Sequence, residues 1–170
     1  MEHRFVTCLY ADIRGYSRLI AADLEGTVRR LTSCQAMMLR VVANHGGRVV
    51  DLVGDSLLAE FPAVAGAVRC AVELQRQLGA RNAGLPPQHR IEFRIGIEIG
   101  EVLVAGGRLF GECVNVAARV QEVAAPGGIC LSGSAFDRID GALPCPFEYL
   151  GERAVKNIER PLRIYQVSGG

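Results

Sequence analysis

Ile91, Phe93, Ile95, Ile97 and Ile99 alternate strictly with polar or small residues, and a period of two fits a strand with one buried face. Residues 5–13, Phe-Val-Thr-Cys-Leu-Tyr-Ala-Asp-Ile, read as a second, buried strand ending at a carboxylate, Asp12. From about Asp23 the apolar positions Val28, Leu31, Met38, Leu39 and Val42 follow helical spacing, and His45-Gly46-Gly47 stops that helix. The run from Val49 to Phe61 reads as two short strands meeting at Gly54-Asp55. Pro62 opens a second helix with Val64, Val68, Ala71, Val72 and Leu78 facing inward. Residues 79–90 read as the longest loop, and Gly100-Glu101 as a turn into Val-Leu-Val-Ala. A third helix spans about 112–124. The tail offers a strand (Gly128–Leu131), a short helix (Ser132–Ile139) and strands at Phe147–Leu150 and Leu162–Val167. Strands and helices do not keep the βαβα rhythm of a doubly wound sheet. An α+β fold, helices on a mainly antiparallel sheet, is predicted.

With 170 residues and no repeat or linker, residues 1–170 are expected to form one domain. Lys plus Arg number 19 against 18 acids, a net charge of +1, which argues against nucleic acid or a charged membrane surface as partner. All but one of those cations are Arg; Lys156 is the exception. Six cysteines are widely spaced with no zinc pattern. The N-terminus carries acids and Arg too early for a secretory signal, and no apolar run approaches the ~18 residues of a membrane span. A cytoplasmic location is expected.

Two acids sit where acids do not pack cheaply. Asp12 ends the Cys-Leu-Tyr-Ala strand, and Asp55 lies at the turn of an apolar hairpin. Neighbouring strand ends that present two carboxylates suit Mg²⁺ or Mn²⁺, hard cations that recruit phosphate. Taken alone, Asp12 equally reads as a cap of the next helix and Asp55 as a turn residue. Asn115 and Arg119, four apart on the third helix, share one face and suit the orientation of a sugar and the neutralisation of a phosphoryl group. An Arg simply reaching a surface carboxylate is the plainer reading of that pair. There is no GxxxxGK[ST] loop, and His3, His45 and His89 lie in loop-like or terminal settings that support no nucleophilic triad.

Five collinear runs carry a family likeness: YADIRGYSRL, GGRVVDLVGDSLLAEF, FRIGIEIGEV, FGECVNVAARVQEVAAPGGICLSG and LGERAVKNIERPLRIYQV. Over them, from Tyr10 almost to the C-terminus, the chain resembles the catalytic domain of the class III nucleotidyl cyclases. The resemblance implies a ferredoxin-like βαββαβ core with extra elements, in a head-to-tail homodimer with two shared active sites. It implies that Asp12 and Asp55 hold two divalent cations, Mg²⁺ or Mn²⁺, and that Asn115 and Arg119 orient the ribose and stabilise the transition state. In such a dimer the resemblance implies that the metal acids come from one chain and the base-reading and transition-state residues from its partner. Backbone amides of Ile13, Arg14, Gly15, Tyr16 and Ser17 are expected to cradle phosphates. Lys156, with Arg160 as a rival, lies where the family supplies a phosphate-binding lysine. A nucleoside triphosphate would give a 3′,5′-cyclic nucleotide and pyrophosphate: one ion would lower the pKa of the 3′-hydroxyl and the second would hold the triphosphate.

One departure bears on the substrate. Adenylate cyclases of this class place Lys four residues before the second metal Asp and Asp seven before the transition-state Asn. Those positions hold Asp51 and Arg108 here. The reversed charges put an acceptor where adenine N1 was read and a donor where its amino group was read. Guanine and uracil offer N–H and a carbonyl at those places, so a keto base, UTP or GTP, is predicted over ATP. Likeness to small stand-alone cyclases of bacterial antiphage defence, which make cyclic UMP, leans towards UTP. If Asp51 and Arg108 instead pair with each other, base reading is lost and an adenylate cyclase with an atypical pocket follows. The non-enzymatic alternative is a silent, nucleotide-binding regulatory domain.

Overall fold

The computed structural model describes residues 1–141, 143 and 145–168. Along the chain run β1 (Glu2–Ile13), α1 (Tyr16–Ala22), α2 (Leu24–Asn44), β2 (Arg48–Val53), β3 (Ser56–Phe61), α3 (Val64–Ala83), β4 (Phe93–Ala105), β5 (Arg108–Phe110), α4 (Glu112–Val123), β6 (Ile129–Ser132), α5 (Gly133–Asp137), β7 (Phe147–Arg153) and β8 (Leu162–Val167). The strands form one sheet in the order β2-β3-β1-β4-β6-β8-β7, with β5 pairing beside the end of β4. All pairs are antiparallel except β4 with β6. The stretch from β1 to β4 has the βαββαβ order, and its strands lie β2-β3-β1-β4, the ferredoxin-like arrangement that the resemblance implies.

Alternation along β1 divides the core. Leu9, Ala11 and Ile13 join the larger cluster under α2 and α3, while Val6, Cys8 and Tyr10 join Leu58, Val102, Leu109, Cys113 and Ala117 under α4. Asp12 continues the second set at the end of the strand. Because α4 covers that face, β4 is not half-buried: Gly96 and Glu98 are as enclosed as Ile95 and Ile97. Gly96 is required there, since a Cβ would stand 2.3 Å from the Gln121 amide nitrogen and 2.4 Å from the Ala117 carbonyl oxygen.

Several boundaries differ from the sequence expectation. A separate helix, α1, precedes Asp23, whose carboxylate caps α2 by accepting from the Gly26 amide at 3.0 Å. Val28 and Leu39 are exposed, and Met37 and Val41 fill the buried face instead. α3 runs on to Ala83, through the first five residues of the expected 79–90 loop, and a single 3₁₀ turn, Pro87–His89, lies within the remainder. Gly100-Glu101 is no turn: β4 continues to Ala105, and the reversal falls at Gly106-Gly107, with φ of 58° and 76°. Gly100 instead lets Cys113 approach, to 3.2 Å from where a Cβ would be. The tail helix is confined to Gly133–Asp137, capped by the Ser132 hydroxyl. Among the described residues no helix is long and apolar enough to cross a membrane.

Candidate active site

β1 and β3 are in register with Asp12 opposite Ser56, so the hairpin turn before Ser56 sets Asp55 beside the end of β1. The Ile13 amide donates to the Asp55 carbonyl at 3.3 Å and to Asp12 Oδ1 at 2.9 Å. The two carboxyl groups lie within hydrogen-bonding reach of each other. Burial first, then the hydrogen bond and charge of Asp55, push Asp12 up to about 7; the Ile13 amide and the Arg94 guanidinium pull it down less strongly. Asp12 thus does not cap a helix; Gly15, with φ of 68°, stands at the N-cap of α1. Two oxygen-donor side chains crowded against each other fit a hard divalent cation, which draws its other ligands from phosphate and water. Among the described residues no third His, Cys, Asp or Glu completes a metal cluster with them.

Arg94 was missed by sequence reasoning. It is the cross-strand partner of Asp12 on β4, and its Nη1 donates to the Glu122 carbonyl at 3.3 Å. A lone Arg on the small-residue side of an isoleucine-rich strand was the available signal. Tyr10 was missed as well: it stands two residues before Asp12, and burial first, then the nearby carboxylates, raise its pKa against the lowering effect of the Ser56 hydroxyl.

The proposed phosphate cradle narrows. The amides of Ile13 and Arg14 are engaged, the latter by the Glu92 carbonyl at 3.0 Å, which leaves those of Gly15, Tyr16 and Ser17. Lys156 is exposed in the segment between β7 and β8, beside Asn157 with its φ of 65°. Arg160 is held by Glu112 at 2.5 Å, so of the two cations Lys156 is the one without an ion pair among the described residues.

Asp51 and Arg108 meet. Arg108 Nη2 donates to Asp51 Oδ2 at 2.9 Å, with side chains 63% and 34% exposed. A bulge at Val50 makes the meeting possible. Val49 pairs with Ala59 and packs under α2 and α3, Val50 is the extra residue, and Asp51 pairs with Leu58 on the α4 side. Arg108 reaches the same side from β5. Asn115 is exposed on α4, and Arg119, one turn on, is paired with Glu122 at 2.7 Å. No hydrogen bond joins Asn115 or Arg119 to Asp12 or Asp55 among the described residues.

Comparisons with known proteins bear on the family and the fold. The sequence profile of the adenylate and guanylate cyclase catalytic domain matches residues 1–169. A Rhizobium meliloti (strain 1021) protein, provisionally named adenylate cyclase 3, is 38% identical over 166 residues, which are 97% of this chain and 28% of that protein. The chain therefore spans less than a third of that relative's length. The crystal structure of an adenylate/guanylate cyclase/hydrolase from Silicibacter pomeroyi superposes with a TM-score of 0.86 at 38% identity, covering 98% of each chain. That of the guanylyl cyclase Cya2 gives 0.83 at 26%, covering 99% of this chain and 93% of that one. With the ferredoxin-like core and the carboxylate pair in place, the chain belongs to the adenylate and guanylate cyclase catalytic-domain family, class III.

Proposed function

We propose that the chain cyclises a nucleoside triphosphate to a 3′,5′-cyclic nucleotide, with a keto base, uracil or guanine, preferred over adenine. The paired carboxylates of Asp12 and Asp55 carry the first half of this reading. Unpartnered, they repel each other; between triphosphate and ribose, they would hold two Mg²⁺ or Mn²⁺ ions, which supply Lewis-acid activation of the 3′-hydroxyl and charge neutralisation of the phosphates. The 3′-oxygen bonds to the α-phosphorus, the α–β bridging bond breaks, pyrophosphate leaves and the hydroxyl proton passes to solvent. Asn115 orients the ribose, and Arg119 meets the charge developing at the α-phosphate. Lys156 and the amides of Gly15, Tyr16 and Ser17 bind the β- and γ-phosphates. The acids serve one site and the α4 residues the other across a homodimer.

Support for the keto base comes from the Asp51–Arg108 pair. Side by side, they form one acceptor and one donor facing the same way, and N1–H with O6 of guanine, or N3–H with O4 of uracil, complements both. Adenine opposes acceptor to acceptor and donor to donor, at a cost of several kcal/mol where the contacts are buried. The 2.9 Å ion pair also favours a second reading: two groups satisfied by each other need not read a base, and the pocket would then admit ATP.

Purified protein assayed in parallel with ATP, GTP, CTP and UTP, each with Mn²⁺ and with Mg²⁺, and products identified by mass, tests both. Cyclic UMP or cyclic GMP as leading product is expected. Cyclic AMP in the lead would leave the cyclase reading standing and end the base assignment. Silence with all four would favour the non-enzymatic regulatory domain.

A further inference from the structure

Glu122 occupies the last turn of α4, where the helix dipole disfavours a negative charge. Its contacts supply a reason for it. Oε1 accepts from Arg119 Nη1 at 2.7 Å, one turn back on the same face. The carbonyl of the same residue accepts from Arg94 Nη1 at 3.3 Å, and Arg94 stands opposite Asp12 on the neighbouring strand. Glu122 thus joins two cations of the site region through two different groups.

Resting on the cyclase reading above, we propose that Glu122 is a positioning residue for Arg119: its carboxylate holds the guanidinium in the orientation from which it meets the reacting phosphate. An arginine side chain has a long, freely rotating stem, and one fixed N–H restricts it. The contact engages a single Nη, so the other donors and the full positive charge stay available. The pair is too open to stabilise the fold much, since Glu122 is 49% exposed and Arg119 26%. Orientation is what the contact can supply.

The experiment compares wild-type protein with Glu122→Ala and Glu122→Gln, using whichever nucleotide the wild type turns over fastest. It records kcat, KM and melting temperature. Removing the carboxylate is expected to lower kcat about ten-fold, with KM within about two-fold. Melting temperature should be equal or higher, because an acid leaves the negative end of a helix. Glu122→Gln keeps an acceptor oxygen and should recover most of kcat. Unchanged kcat in Glu122→Ala would overturn the role, as would a loss of kcat accompanied by a lower melting temperature. So would a glutamine variant as slow as the alanine one. A wild type silent with every nucleotide would overturn the cyclase reading and this role with it, whereas an active wild type with an unaffected alanine variant would overturn the role alone.

Discussion

Asp12 shows what two crowded, partly buried carboxyl groups cost the fold. Burial and Asp55 raise its pKa from 3.8 to about 7, so the folded chain favours the neutral acid and the unfolded chain the carboxylate. The sign follows from linkage: the stability tied to the protonated form is complete below pH 3.8 and declines as the pH rises through about 7. At pH 8 in chelator, Asp12→Asn should therefore be more stable than wild type, by about 1–2 kcal/mol after allowance for solvent around a half-exposed group. The difference should narrow at pH 5. Turnover should be lost at both. Melting curves at the two pH values, with and without Mn²⁺, check this, and the ion should raise the melting temperature of the wild type only. An asparagine variant that melts lower than wild type at pH 8 would mean that the carboxylate pair is not strained.

Gly96 sets how closely α4 lies on β4. Gly96→Ala puts a methyl group against the Gln121 nitrogen and the Ala117 oxygen, backbone atoms that move only with the whole helix. A loss of about 1–3 kcal/mol is expected, with a drop in turnover as Asn115 and Arg119 shift; urea melts and the cyclase assay read both. β4 was legible because its isoleucines alternate, β1 as a buried apolar run, β2 and β3 by the turn between them, and α2 and α3 because apolar residues recur at helical spacing. Glycine misled in both directions. Gly100 looks like a turn and is a contact with Cys113, whereas Gly79 looks like a break and sits in α3 with open space around it. The acids were visible as carboxylates at the ends of apolar strands. What no pattern carried was the bulge at Val50, which places Asp51 on the α4 side; Arg94 stood out as a lone Arg among the small residues of β4, but its part emerges only when β4 is laid against β1. Pairing register is a property of two strands, and either strand alone is silent about it.

The proposed homodimer divides each site between two chains, and this can be tested without a structure of the dimer. An Asp12→Asn chain keeps Asn115 and Arg119; an Arg119→Ala chain keeps both acids. If the acids of one protomer meet the arginine of its partner, each variant alone has two broken sites. A mixed dimer then has one site with both defects and one with neither. Equal mixing with free exchange makes half of all dimers mixed, each with one working site of two, so about a quarter of wild-type activity should return. Catalysis within a single chain predicts no recovery at any ratio. The return should also fade on dilution, because the working site exists only while the chains are associated. Recovery near a quarter that falls with protein concentration would place the reaction at the contact between protomers, and mixtures no more active than their components would place it within one chain.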